Sequence, residues 1–142
     1  MSEQERKFSI RARRRARVLA TQALYQWQFN PSDIEDINAE FCEYNQHLKV
    51  DWDFFKELTV GVTQNIKHLD DLITPCLQKS ILIINNVEHA ILRLACYEIK
   101  YLEDIHYKVS IKEYIKVVEE FGNEHGDKFI HGALGSIIGN ED

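Results

Sequence analysis

The sequence predicts an all-α fold. Six glycines and two prolines in 142 residues leave few helix breakers, and apolar residues recur at three- and four-residue steps instead of alternating. At 44% apolar and 28% charged residues, the composition is that of a globular chain with enough apolar surface for a core. The length suits one domain, expected as 11–142 behind a flexible arm over 1–10.

The first helix is predicted from about Ile10 to Gln28. Ala16, Leu19, Ala20, Ala23, Leu24 and Trp27 share one face, and Asn30-Pro31 closes it because a residue before proline avoids the α region. Ile34, Ile37, Phe41, Tyr44 and Leu48 mark a second helix. Beyond Asp51, a suitable N-cap, Trp52, Phe55, Leu58, Val62, Ile66 and Leu69 mark a third. From Leu69 to Ile84 the chain stays apolar, but Pro75 is expected to end, kink or restart a helix. Asn86 is expected to cap a fifth, central helix with Val87, Ala90, Ile91, Leu94, Ala95 and Leu102 on its stripe. Ser110 and Glu113 read as a capping box, with a hydrophobic staple from Val109 to Tyr114. That sixth helix should stop at Phe121-Gly122. After the loop Asn123-Glu124-His125-Gly126, a last helix begins near Asp127 and carries Phe129, Ala133, Leu134, Ile137 and Ile138. The elements make a compact bundle of about seven helices.

Charge is distributed unevenly. Residues 1–17 hold seven basic side chains against two acidic ones, a surplus of five, whereas the remainder holds ten against 21, a deficit of eleven. A basic segment on an acidic body suits a polyanion at one end and a basic partner elsewhere. The run Arg11-Ala12-Arg13-Arg14-Arg15-Ala16-Arg17 lacks interleaved carboxylates, and guanidinium groups both fork onto phosphate and stack on bases. It reads as an RNA-binding helix start, with a solvated charge run as the plain alternative. Lys128 and Phe129 could add a charge and a ring, although the position of Phe129 also fits the core.

Catalytic and metal constellations are not evident. The sequence has no glycine-rich phosphate loop, serine elbow, His-Glu-x-x-His pair or Cys-x-x-Cys. Glu103-x-x-His106 is half of a di-iron pattern without a second copy, and Asp70-Asp71 and Glu119-Glu120 are helix neighbours that face apart. Cys42, Cys76 and Cys96 are odd in number and widely spaced, and read as buried apolar residues. No enzyme activity, cofactor or metal is expected. The charged start is not a secretory signal and no apolar run spans a bilayer, so a cytoplasmic location without membrane contact is expected.

Three ordered blocks carry a family resemblance. They are Ala12–Arg17 with Gln22-Ala23-Leu24-Tyr25-Gln26-Trp27-Gln28, then Val87 through Glu98, then Tyr107-Lys108-Val109 through Glu119-Glu120-Phe121-Gly122 to Lys128-Phe129-Ile130-His131-Gly132. From Arg11 onward the chain resembles the NusB family of bacterial transcription antitermination factors. The resemblance implies two three-helix groups, and binding with the ribosomal protein NusE to the single-stranded boxA element of ribosomal RNA leader transcripts. It further implies a place in the RNA polymerase antitermination complex and a role in ribosomal RNA maturation. By position, Arg13, Arg14, Arg15, Arg17, Lys128 and Phe129 would contact RNA, while Glu88 and Tyr25 would meet NusE. Glu88 also fits a helix-dipole partner. Such proteins act as monomers or dimers, so a homodimer is among the implied states. Lys112, His125, Gly126, His131 and Gly135 depart from the family pattern and bear on RNA contacts near the last helix. Two other readings stand beside this one: a stand-alone relative of a domain that precedes RNA methyltransferases, and a purely protein-binding bundle.

Overall fold

Seven helices follow in order, α1 (Glu3–Phe29), α2 (Ile34–Tyr44), α3 (Trp52–Gln64), α4 (Ile66–Lys79), α5 (Asn86–Tyr101), α6 (Tyr107–Phe121) and α7 (Gly126–Gly139). They come from a computed structural model that describes residues 1–79, 85–121 and 125–139, with no strand among them. None of these helices is long and apolar enough to cross a membrane.

The first helix starts well before its apolar stripe. Ser2 caps it by accepting from the Glu5 N–H at 3.1 Å, and Glu3 pairs with Lys7 one turn on. Residues 3–10, expected within a flexible arm, are helical, and each is exposed. At the other end Asn30 leaves the α region ahead of Pro31, as expected. Asp51 caps α3 by accepting from the Phe54 N–H at 3.0 Å. The expected run from Trp52 to Leu69 is two helices, because Asn65 turns back onto the Gly61 carbonyl at 2.8 Å and ends α3.

Pro75 lies inside α4 without ending it. Proline lacks the N–H that would pair with the Asp71 carbonyl, and both residues are exposed, so that carbonyl is not stranded in the core. Helix α5 is capped by Asn85 and not Asn86, with Asn85 and Glu88 forming a reciprocal capping box. Helix α6 begins at Tyr107, which puts Ser110 and Glu113 in its interior. The expected capping box and staple there are not formed: Val109 is exposed, and Tyr114 is fully buried. Helix α7 starts one residue before Asp127. The expected stop at Gly122, the loop residues Asn123 and Glu124, and the stretch from 80 to Ile84 lie outside the described residues. Of the cysteines, Cys96 is buried, whereas Cys42 and Cys76 are half-buried at the surface of the bundle.

The helices form two groups of three, α1–α3 and α5–α7, with α4 laid against α5 and α7. Helix α5 is central, packing on α1, α3, α4, α6 and α7. One apolar cluster runs through both groups, including Leu24, Phe55 and Leu58 from the first and Ile91, Leu94 and Leu134 from the second. At the α3–α5 crossing the Tyr97 ring lies on Gly61 so closely that any side chain there would collide with it.

Two arginines fix how α1 seats on the second group. Arg17 is 3% exposed and donates from Nε and Nη2 to the two Glu98 carboxylate oxygens at 2.9 and 2.8 Å. The Ser110 hydroxyl donates to the same carboxylate, and the Phe54 and Tyr114 rings lie 5.1 and 5.8 Å from the guanidinium carbon. Burial, the largest single influence, opposes the Arg17 charge, but the Glu98 hydrogen bonds together with the neighbouring Tyr114, Glu98 and Glu113 charges outweigh it and the pKa is raised. One turn earlier, Arg14 makes a second two-pronged pair with Glu113 at 2.9 and 3.0 Å. Those hydrogen bonds hold the Glu113 carboxyl below its ordinary range against the effect of burial.

Removing one member of a buried pair strands the other charge, so Arg17→Ala should lose about 3–5 kcal/mol in urea unfolding. Arg17→Met combined with Glu98→Leu should lose much less. The lowered Glu113 pKa gives stability that is complete above the unfolded value, about 4.3, and fades as pH falls through the folded one. Thermal melts should therefore show wild type above Glu113→Gln at pH 6, with the gap closing towards pH 3.

Candidate nucleic-acid interface

The arginine run divides by helical geometry into an inward and an outward set. Arg17 is sealed inside the bundle by Glu98, so the expectation that it touches RNA is corrected to a structural role. Arg13 lies sideways, with its guanidinium carbon 4.6 Å from the Phe54 ring centre and its Nε 3.4 Å from Asp51, the cap of α3. Arg14 is half-exposed, but its fork is engaged by Glu113. Arg15 points out, donating once to the Lys49 carbonyl at 3.2 Å. That bond uses one of five donors and none of its charge.

Helix α6 supplies cations that the arginine run did not announce. Lys108, Lys112 and Lys116 are exposed at successive four-residue steps. Glu113, held by Arg14, brings this stretch of α6 beside α1. Between the two helices runs a groove of about 320 Å³, rimmed by Arg14, Arg15 and Lys116 over an apolar floor that includes Val18, Leu48 and Val117. Glu120 is the carboxylate at its edge. Among the described residues, Arg11, Arg15, Lys112 and Lys116 form no ion pair. These four charges are free to meet a polyanion. The lysine spacing on α6 was visible in the sequence, but it gained meaning only when Glu113 proved to face Arg14.

The structure does not gather the other expected RNA residues here. Phe129 is 9% exposed and packs in the core, so its ring is not offered to a base. Lys128 is exposed on the first turn of α7. That turn lies against the start of α5 and the later part of α6, since Gly126 adjoins Glu88 and Val118. Lys128 does not line the arginine groove. Of the positions that depart from the family pattern, Lys112, His125, His131 and Gly135 are exposed, whereas Gly126 is buried.

The two expected partner residues also separate. Glu88 is 1% exposed, accepts from the Asn85 N–H at 3.0 Å and abuts Gly126, where a side chain would strike its carboxylate. Its expected place on a partner surface is corrected to a cap that holds the start of α5 against α7. Tyr25 is 38% exposed and meets the 60% exposed Phe29 edge-on, with ring centres 4.8 Å apart. This pair leaves an apolar patch on α1 about three turns beyond Arg15.

Known proteins share both sequence and fold with the chain. A family model described as the NusB family matches residues 14–138. The transcription antitermination protein NusB of Pseudoalteromonas translucida (strain TAC 125) is 42% identical over 127 residues, covering 89% of this chain and 93% of that protein. T. maritima NusB aligns with a TM-score of 0.76 at 32% identity, over 87% of this chain and 88% of that one. A chain from the crystal structure of antitermination factors NusB and NusE in complex with dsRNA gives a TM-score of 0.79 at 24% identity, over 92% and 98%, a likeness of fold. With the match spanning nearly the whole helical bundle, the chain belongs to the NusB family.

Proposed function

We propose that this protein is an RNA-binding transcription antitermination factor. Together with NusE it holds boxA RNA of ribosomal RNA leader transcripts within the antitermination assembly on RNA polymerase, and it makes and breaks no bond itself. The observation that carries the RNA half is the set of unpaired cations at the α1–α6 junction, Arg11, Arg15, Lys112 and Lys116, on a chain whose net charge is −6. Counterion release on contact with phosphate would drive binding at this edge, while the acidic remainder repels RNA elsewhere. Membership of the family supports the process and the partner. For NusE, the exposed Tyr25 and Phe29 offer an apolar contact, as aromatic side chains do at protein interfaces.

Arg11→Glu with Arg15→Glu should weaken binding of labelled boxA-containing single-stranded RNA and make the logarithmic salt slope shallower by roughly 1.4, about 0.7 for each phosphate no longer neutralised. Both side chains are exposed, so circular dichroism should stay unchanged; unaltered affinity would place the RNA elsewhere. Tyr25→Ala with Phe29→Ala should weaken NusE binding by at least about 1–2 kcal/mol in calorimetry and leave RNA binding by the isolated chain intact. Equal weakening of both would refute two separate surfaces.

A further inference from the structure

The outward face of α1 continues past the arginines into a second hollow. About two turns beyond Arg15, Gln22 faces the end of α2 across a groove of about 390 Å³, shared with Glu40, Phe41, Tyr44 and Asn45. Tyr44 is 83% exposed and, among the described residues, pairs with no other ring. A tyrosine at that exposure contributes little to the core, whereas an open ring further along the same helix face as a cationic groove is an arrangement with which proteins hold single-stranded nucleic acid.

The two hollows differ in charge as the two parts of a nucleotide do. The first has Arg14, Arg15 and Lys116 at its rim and suits phosphate. Among the described residues, the second is lined by no cation and by one carboxylate, Glu40, which disfavours phosphate and leaves the uncharged base as the fitting occupant. Gln22 and Asn45 supply side-chain amides, the groups that match the mixed donor and acceptor edges of bases. Asn45 spends a donor on the Phe41 carbonyl at 2.9 Å, which steadies its side chain.

Resting on the RNA-binding reading above, we propose that the outward face of α1 from Arg15 to Gln22 is a track for single-stranded RNA. Arg15 and Lys116 hold backbone phosphate, and a base stacks on Tyr44 with its edge towards Gln22 and Asn45. Lys116 and Tyr44 become binding residues of different kinds, one electrostatic and one a stacking platform.

The difference in kind provides the test. Fluorescence anisotropy of a labelled boxA-containing single-stranded RNA, titrated with the full chain at several salt concentrations, is compared for wild type, Tyr44→Ala, Tyr44→Trp and Lys116→Glu. Tyr44→Ala should weaken binding about five-fold or more with an unchanged salt slope, and Tyr44→Trp should bind at least as tightly as wild type. Lys116→Glu should weaken binding and make the slope shallower by roughly 0.7. Full affinity in Tyr44→Ala and Lys116→Glu, while Arg11→Glu with Arg15→Glu still weakens binding, would overturn the track and leave the RNA-binding reading standing. Loss of NusE binding alone in Tyr44→Ala would assign the ring to a protein contact and also overturn it. Absence of RNA binding by wild type would remove both readings together.

Discussion

The seating of α1 depends on the charge buried between Arg17 and Glu98. A carboxylate and a guanidinium withdrawn from water need nearly complete pairing to be tolerated, and here both prongs of the fork are engaged while Ser110 supplies a further donor. Three helices meet at this point, since Arg17 belongs to α1, Glu98 to α5 and Ser110 to α6. Apolar contacts alone would permit α1 to turn or slide by a small angle. A two-pronged hydrogen bond permits far less, so it sets which side chains of α1 face outwards.

That setting divides one arginine run into two sets. With Arg17 inward, Arg14 falls beside Glu113, and Arg11 and Arg15 fall on the outer side. The acidic side chains that meet the inward arginines come from α5 and α6. The exposed charge is therefore what remains after the fold has taken its share. The α6 lysines restore part of that charge at the same edge, and the apolar residues between them give a nucleic acid something to lie on besides phosphate partners.

Much of the architecture was legible because its signals are local. Apolar spacing revealed the helices, Asn30-Pro31 marked the end of the first, and Asp51 announced the third. The errors arose where a local pattern was overruled by a distant residue. Ser110 and Glu113 have the spacing of a cap, yet Ser110 serves Glu98 and Glu113 serves Arg14, 99 residues away in sequence. Arg17 looked like its neighbours because nothing nearby marks its partner 81 residues on. Glu88 was expected both to meet a partner and to sit at the start of its own helix, and its buried carboxylate closes that helix end. The outer cations of α1 were readable as a charged run. Tyr44 was read only as one apolar position of a helix, because its exposure is set by where α2 stops.

The continuity of α1 makes it a ruler. Its 27 residues span roughly 40 Å as one rod, with Arg15, Gln22 and Tyr25 at fixed heights and fixed azimuths along it. Whatever rests on the arginines and whatever rests on the aromatic pair are thereby held in constant phase, without a hinge between them. One residue inserted between Arg17 and Gln22 would move the later station by only about 1.5 Å but rotate it by about 100°. The tolerance of this helix to change is thus set by angle more than by length.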